Sequence, residues 1–399
     1  MNKTPRANRV HIAFYGTTNS GKSTLINRIT KQKISLVSEV PGTTTDPVLK
    51  SMEIAGIGAC VLMDTAGFDD NGELGQERVK LTQNTIRKAD VAVVVLNAVE
   101  EVDLELYKNW IAELKQTPYL LVLNKCDLIQ SSCVEQKKSE LEKVFGKSIL
   151  TLSANEDTSI NSFLEELVKT AEIPNVESIT KNLCTGNDVV MLVMPQDIQA
   201  PRGRLILPQV QTTRDLLDKQ CIVISVTKDQ YVDALQTLKE SPALIITDSQ
   251  VFSYVYEHKP KDSQVTSFSV LFAALKGDIQ VLKEGAKAIE SLTPQSKVLI
   301  AEACTHAPLS EDIGRVKIPQ LLRKKVSPVL QIDVVSGSDF SEQLEAYDLV
   351  IHCGACMFNR KHMLSRIQMA QERNVSITNY GIAIAHLNGI LDKIVIPNT

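Results

Sequence analysis

Two short groups of cysteine and histidine near the end of the chain could bind a metal. Cys304 and His306 form a C-x-H pattern, and His352, Cys353 and Cys356 follow forty-five residues later as H-C-x-x-C. Thiolate and imidazole groups are the side chains that hold structural zinc and iron–sulfur clusters in proteins. The two groups together therefore predict one metal site, provided that the fold brings them to the same place.

A second set of residues, near the start of the chain, has the spacing of a nucleotide-binding loop. Residues 16–23 read G-T-T-N-S-G-K-S, which fits G-x-x-x-x-G-K-[ST] between an apolar strand and a helix. The glycines let backbone amides surround phosphate oxygens at the N-terminus of a helix. Lys22 is expected to reach the β- and γ-phosphates, and Ser23 to ligate Mg²⁺. The other predicted members of the loop are Gly16, Asn19, Ser20, Gly21 and Thr24.

Three further motifs follow in the order expected of a GTPase. In D-T-A-G, Asp64 is expected to hold Mg²⁺ through water, and the Gly67 amide to contact the γ-phosphate. In N-K-C-D, the Asp127 carboxylate can accept the two protons that guanine offers on N1 and N2, and adenine lacks that pair. The nucleotide is therefore predicted to be GTP. The base-binding residues are Asn124, Lys125 and Asp127, supported by a loop at Ser153 and Ala154.

These motifs resemble those of the TrmE–Era group of GTPases. Residues 41–46, P-G-T-T-T-D, are similar to the first switch of that group, and the resemblance implies that Thr44 binds Mg²⁺. It also implies that Asn19 helps to hold a K⁺ ion near the phosphates. Phe68 stands where Ras-type enzymes have a glutamine that orients water, so hydrolysis is expected to be slow.

The elements that must position these residues alternate between strand and helix patterns, which predicts an α/β fold with parallel sheets. Three domains are expected: a GTP-binding domain, a small α/β domain that dimerises, and a C-terminal α/β domain whose parallel sheet carries the metal site. The second block is short, and blocks of that size often complete their core by self-association. The predicted bounds are 1–173, 185–262 and 265–399.

The metal site allows two interpretations. Cys304 and Cys353 each follow a predicted strand, and ligands gather at the carboxyl ends of parallel strands. Three thiolates from Cys304, Cys353 and Cys356 could hold three irons of a 4Fe-4S cluster, and the alternative is structural zinc with three cysteines and one histidine. Five cysteine and histidine candidates exceed the four ligands of zinc, which favours iron–sulfur. The fourth iron then needs another ligand, which could be His306, His352, Glu311 or an exogenous molecule.

The whole arrangement resembles the FeFe-hydrogenase maturation GTPases, the HydF family, along the full length of the chain. The resemblance rests on the GTPase motifs combined with C-x-H and H-C-x-x-C. It implies a scaffold that carries a 4Fe-4S cluster, accepts a diiron precursor of the H-cluster, and delivers it to apo FeFe-hydrogenase. It further implies radical-SAM maturases as partners, a homodimer, and GTP as a regulator of partner exchange.

Composition limits the other possibilities. The chain has 399 residues, a net charge of −4 and a pI near 6.0, with no basic stripe of the kind that nucleic-acid binding needs. No apolar run is long enough to span a bilayer, and the N-terminus has no apolar signal core, so a cytoplasmic protein is expected. The rival hypothesis is a TrmE–Era-like GTPase acting on tRNA or ribosomes, with a structural zinc or iron–sulfur site.

Overall fold

The computed structural model describes most of the chain and divides it into two compact units, Met1–Asn175 and Val176–Thr399. The described residues are 8–31, 48–65, 82, 85–115, 117–154, 156–171, 178–194, 205–303, 313–337, 340, 343–354 and 358–397. Within them, no helix combines the length and the apolar character that a bilayer crossing requires.

The first unit is built on a six-stranded sheet in the order β2-β3-β1-β4-β5-β6. Its strands are β1 (Val10–Tyr15), β2 (Val48–Ile54), β3 (Gly58–Asp64), β4 (Val91–Asn97), β5 (Tyr119–Asn124) and β6 (Ile149–Thr151). All neighbours are parallel except β2 and β3, which form an antiparallel hairpin. Strands buried on both faces are typically continuous apolar runs, and VAVVVLN in β4 is buried at every residue.

Helices cover both faces of this sheet. They are α1 (Lys22–Lys31), α2 (Leu104–Glu113), α3 (Ser131–Phe145) and α4 (Asp157–Thr170). Phe14 and Phe163 belong to the core on one face, and Tyr107 and Leu121 to the core on the other. Because both faces are covered, the polar loops at the carboxyl ends of the strands are the part of the sheet left for a ligand.

The second unit contains two four-stranded parallel sheets. The first has the order β10-β9-β7-β8 and the second β12-β11-β13-β14. The strands are β7 (Val189–Val193), β8 (Ile222–Val226), β9 (Leu244–Thr247), β10 (Gln264–Ser267), β11 (Lys297–Glu302), β12 (Gln331–Ser336), β13 (Leu349–His352) and β14 (Ser376–Asn379). With the first unit, these sheets confirm the predicted α/β fold with parallel sheets.

The helices of the second unit pack the two sheets around a shared core, which includes Met191 of β7 and Leu299 of β11. The polar segment 259–263 leads into β10, which pairs with β9 and ends at Ser267. The helices are α5 (Leu207–Asp218), α6 (Tyr231–Thr237), α7 (Phe252–His258), α8 (Phe268–Lys276), α9 (Ile279–Lys287), α10 (Ile318–Lys325), α11 (Arg360–Glu372) and α12 (Tyr380–Leu387).

Candidate nucleotide and metal sites

The phosphate loop joins β1 to α1, as its motif predicts. Gly16 follows β1 with φ +153°, and a Cβ there would lie 2.4 Å from the Val95 carbonyl oxygen. Lys22 is 6% exposed, and its Nζ donates to the carbonyl oxygens of Gly16 at 2.9 Å and Thr17 at 2.7 Å. The ammonium group is therefore held over the loop whose backbone amides would surround a phosphate.

The predicted Mg²⁺ residues that the structure describes are in contact. Ser23 Oγ donates to Asp64 Oδ2 at 2.6 Å, while the buried Oδ1 has no hydrogen-bond partner among the described residues. Burial raises the pKa of Asp64, and the hydrogen bond from Ser23 and the charges of Lys22 and Lys50 oppose that rise. A carboxylate with an unused oxygen beside a serine hydroxyl suits a hydrated divalent cation.

The predicted base-binding residues follow β5 and β6, which are neighbours in the sheet. The Cys126 amide donates to the Leu152 carbonyl at 3.2 Å, which ties the N-K-C-D loop to the loop after β6. Lys125 has φ +66°, and Asp127 lies exposed in the turn that follows. Ser153 and Ala154 are buried behind this turn. The arrangement leaves one polar edge on which a purine base could lie.

Asn124 links the base-binding motif to the phosphate loop. Its side chain is 1% exposed, and Nδ2 donates to the Ser20 carbonyl oxygen at 3.0 Å. Gly21 lies directly beside it with φ +96°, and a Cβ on Gly21 would come within 2.2 Å of Asn124 Nδ2. Only glycine therefore fits at this position without moving the asparagine.

Gly21→Ala is expected to lower GTP affinity by at least about tenfold, which corresponds to about 1.4 kcal/mol. The new methyl group collides with Asn124 and breaks its bond to the phosphate loop. Gly58→Ala is the matched control, because Gly58 also has a positive φ (+83°) but open space around its Cβ. Isothermal titration and thermal unfolding of both variants measure the effect, and equal behaviour of the two would contradict the steric argument.

One contributor to the phosphate loop was not anticipated from sequence. Tyr107 on α2 is 2% exposed, and its hydroxyl donates to the Val95 carbonyl at 2.9 Å. The same oxygen accepts from the Thr17 amide at 3.2 Å, so the ring holds the start of the loop against β4. Tyr107 lies outside every GTPase motif, in a helix that also carries Trp110 and Ile111, so the local sequence gives no signal of this role.

Several predicted site residues lie outside the described part of the chain. For the nucleotide site these are Thr44 and Gly67, together with Phe68, and for the metal site Cys304, His306, Glu311 and Cys356. Among the residues that are described, no three histidine, cysteine, aspartate or glutamate side chains form a metal-binding group. The two described candidates of the metal site are His352 and Cys353.

Cys353 directly follows β13 and contacts the strand that precedes Cys304. β13 pairs with β11 in parallel, with Ala301 opposite His352. The Cys353 amide donates to the Ala301 carbonyl at 2.9 Å, and the Ala303 amide donates to Cys353 Sγ at 3.0 Å. A backbone N–H that points at a cysteine sulfur stabilises a thiolate and tunes the potential of a bound cluster. These contacts fit a thiolate-bound metal group at this edge of the sheet.

His352 is fully buried, and both of its ring nitrogens have partners. Nδ1 lies 2.8 Å from the Cys353 carbonyl oxygen, and Nε2 lies 2.8 Å from Arg366 Nη1. A guanidinium group can only donate, so Nε2 accepts and the proton lies on Nδ1. Burial, and then the Arg366 charge, lower the pKa of His352 to about 3. The imidazole is therefore neutral.

The phosphate loop, the Ser23–Asp64 pair and the base-binding edge define a P-loop GTPase domain, followed by an α/β unit of two parallel sheets. Residues 11–125 match the family model described as 50S ribosome-binding GTPase. Residues 179–277 match the hydrogen maturase F dimerization domain, and residues 280–397 match the hydrogen maturase F tetramerization domain. The chain belongs to the hydrogen maturase F family.

Curated relatives match the chain over about half of its length or less. The tRNA modification GTPase MnmE of Caldicellulosiruptor saccharolyticus is 27% identical over 181 residues. This match covers 44% of the present chain and 38% of the MnmE chain. The MnmE of Pseudothermotoga lettingae is 31% identical over 240 residues, and this match covers 53% of the present chain and 51% of the MnmE chain. The chain therefore spans only about 38% to 51% of these two relatives.

A solved structure of Era in complex with MgGDPNP and nucleotides 1506–1542 of 16S ribosomal RNA is 28% identical. The match covers 42% of this chain and 58% of that chain, with a TM-score of 0.36. That score is too low to support a functional comparison.

Proposed function

We propose that the protein is a scaffold and carrier in the maturation of FeFe-hydrogenase. It accepts a diiron precursor of the H-cluster from radical-SAM maturases and delivers it to apo FeFe-hydrogenase. The observation that carries the proposal is the match of residues 179–277 and 280–397 to two domains of hydrogen maturase F. In the same region, the Ala303 amide contacts Cys353 Sγ at 3.0 Å, next to the cysteine–histidine motifs.

The proposed cluster ligands are Cys304, Cys353 and Cys356, which together would hold three irons of a 4Fe-4S cluster. The fourth iron is the exchangeable position, with His306, His352 and Glu311 as the candidates within the chain. A bound 4Fe-4S cluster supplies a one-electron redox centre and a point of attachment for the diiron cargo. The chain's own contribution is to hold the Cys353 sulfur with the Ala303 N–H at the end of β13.

The experiment that tests the carrier proposal uses the full chain reconstituted with iron and sulfide under anaerobic conditions. The protein is loaded with a diiron carbonyl–cyanide fragment, repurified, and mixed with apo-hydrogenase. Hydrogen production should appear with the loaded protein and stay absent with protein that received the fragment but no cluster. Equal activation by both samples would remove the scaffold role.

We further propose that the GTPase is slow and stimulated by K⁺. Lys22, Thr44, Asp64 and Gly67 would act on the phosphates, and Ser23 and Thr44 would bind Mg²⁺. Asn19 has φ +61° and lies in the phosphate loop, where its side chain would help to hold K⁺. Turnover should be faster in KCl than in NaCl at equal ionic strength. A rate that does not depend on the cation would exclude this role for Asn19.

The proposed homodimer uses the exposed edge of the first sheet in the second unit. Among the described residues, β8 has a hydrogen-bonded neighbour on one side only, and Ile222 on this strand is 55% exposed. The adjacent helix α5 exposes Val210 (45%) and Leu217 (55%). Monomeric proteins usually protect an apolar edge strand of this kind. We infer that a second copy covers it, in keeping with the dimerization-domain match over 179–277.

Ile222→Lys is expected to weaken the dimer, because a lysine on the edge strand puts a charge where the second copy would pack. Light scattering and analytical ultracentrifugation over a concentration series measure the mass. Val99→Lys is the matched control, since Val99 is 51% exposed in the GTPase unit and should leave the mass unchanged. If Ile222→Lys dimerises with the affinity of the parent, the interface does not include this edge strand.

The domain bounds 1–173, 185–262 and 265–399 and a cytoplasmic location remain part of the proposal. The alternative function is a GTPase that acts on RNA, which the names of the MnmE relatives favour. Those relatives match 53% of this chain or less, and residues 179–397 match hydrogen maturase F domains almost throughout. Stoichiometric zinc without iron after anaerobic reconstitution would favour the alternative.

A further inference from the structure

Arg366 is a buried cation on α11, close to the proposed cluster site. Its side chain is 1% exposed and is the largest fully buried side chain among the described residues. The guanidinium carbon lies 4.7 Å from the centre of the Phe340 ring and 4.6 Å from that of Phe358. Removing a guanidinium from water is costly unless its donors are satisfied. A side chain that only filled the core would be apolar, so the polar contacts of the Arg366 guanidinium indicate a further role.

One hydrogen-bond partner of Arg366 is His352, the residue next to the proposed cluster ligand Cys353. Nη2 donates to the Gly337 carbonyl at 2.8 Å, and Nη1 donates to His352 Nε2 at 2.8 Å. On the other side of the ring, the His352 Nδ1–H donates to the Cys353 carbonyl oxygen at 2.8 Å. Arg366 is thus joined through one imidazole to the backbone of Cys353, whose sulfur accepts from Ala303.

The same hydrogen bonds determine whether His352 can ligate a metal. An imidazole binds a metal through a nitrogen lone pair, and here the Nε2 lone pair is directed at Arg366 while Nδ1 carries the proton. The ring is also enclosed by aromatic side chains, with Phe340 and Phe358 centred 6.5 and 6.1 Å away. To ligate iron, His352 would have to leave Arg366 and turn within a fully buried site.

We propose that Arg366 is a positioning residue of the cluster site, which holds His352 as a hydrogen-bonding neighbour of Cys353 and keeps it from ligating iron. This inference rests on the proposed function, because it requires that Cys353 binds the cluster. It removes His352 from the three candidates for the exchangeable position and leaves His306, Glu311 or a molecule from solution.

The charge of Arg366 has a second consequence. Three thiolates make the site anionic, and reduction of a cluster adds one more negative charge. A buried positive charge favours the reduced form, because salt and water screen it only weakly in the interior. Arg366 should therefore raise the reduction potential of the site, and a neutral side chain in its place should lower it.

The test compares Arg366→Met, Arg366→Lys and His352→Gln in the full chain, reconstituted anaerobically with iron and sulfide. Arg360→Met is the matched control, because Arg360 lies on the same helix and loses the same charge from an exposed position. The readouts are iron content, thermal unfolding, the midpoint potential from an EPR-monitored titration, and nitrogen couplings in pulsed EPR of the reduced protein.

When Arg366→Met is added to His352→Gln, so that His352 cannot ligate iron, the ratio of reduced to oxidised cluster at a fixed potential should fall at least about tenfold, a shift of about 59 mV for one electron. Arg366→Lys keeps the charge and should change the ratio less than about threefold, and Arg360→Met should not change it. Arg366→Met should also gain a directly coordinated nitrogen that is missing from Arg366→Met combined with His352→Gln. His352→Gln alone should keep the iron content and the nitrogen couplings of the parent.

Loss of a coordinated nitrogen in His352→Gln would overturn the proposal, as would equal potentials in His352→Gln and in folded Arg366→Met combined with His352→Gln. If Arg366→Met does not fold, His352→Gln and Arg366→Lys still decide the question through the nitrogen couplings and the potential. A parent protein that binds no iron would instead contradict the proposed function, so the two failures are distinguishable.

Discussion

Asp127→Asn is expected to lower GTP affinity by about 100-fold or more. The carboxylate would accept hydrogen bonds from guanine N1 and N2, and each bond to a charged acceptor contributes about 1.5–3 kcal/mol. An amide presents one oxygen acceptor and one nitrogen donor, so at least one guanine donor loses its partner. The geometry supports this role, because the Cys126 amide is held by the Leu152 carbonyl and the following turn carries Asp127 at the polar edge.

The amide should at the same time accept a different base. Xanthine carries a carbonyl where guanine has its N2 amino group, so the side-chain NH₂ that Asp127→Asn introduces can donate to it. Competition binding with GTP, ATP and xanthosine triphosphate measures the change in preference. Asp103→Asn is the matched control, because Asp103 caps α2 through the Leu106 amide and asparagine caps equally well. Parental GTP affinity in Asp127→Asn would contradict the assignment of the base-binding residues.

Cys353→Ser is expected to abolish stable cluster binding while leaving GTP affinity unchanged. A serine hydroxyl is a much poorer iron ligand than a thiolate, and only two of the three proposed cysteine ligands would remain. GTP binding should survive because the GTPase unit, Met1–Asn175, has its own cores on both faces of its sheet. Iron analysis and EPR after anaerobic reconstitution, together with GTP titration of the same samples, measure both effects.

Cys133→Ser is the matched control for this change, because Cys133 is an exposed thiol on α3. It should retain the parental iron content. Full iron incorporation in Cys353→Ser would remove Cys353 from the ligand set, even if the protein still carried a cluster. Loss of iron together with loss of GTP binding would indicate general unfolding, and thermal unfolding curves separate that outcome from a specific effect.

Much of the fold was accessible from sequence because buried parallel strands are short, continuous apolar runs. The sequences of β4 (VAVVVLN), β7 (VVMLV) and β13 (LVIH) are runs of this kind, and nearly all of their residues are buried. Two of the elements that are hard to predict from sequence are β10 and α8, for identifiable reasons. β10 reads QVTS, and its Thr and Ser are buried by neighbours that the local sequence does not show. The helix α8, FSVLFAALK, is apolar on almost every side, so it has no helical periodicity to detect.

For the sites, sequence by itself determined the residues whose roles depend on local backbone chemistry. A glycine-rich turn before a helix, with Lys22 and Ser23 at its end, specifies a phosphate loop because the amides, the ammonium and the hydroxyl are all within one short segment. The N-K-C-D motif is also a single short segment, so its sequence alone indicates a base-binding loop. The hydrogen maturase F resemblance likewise followed from short motifs and their order.

Only the tertiary structure decided which distant side chains complete those sites. Asn124 reaches Ser20 across 104 residues, and Tyr107 reaches Thr17 across 90. The pairing of Arg366 with His352 depends on α11 packing against the end of β13. Sequence presented His352 as a possible iron ligand because its type and spacing suit a metal. The structure directs its Nε2 lone pair to a buried guanidinium, since only packing determines which partner a nitrogen faces.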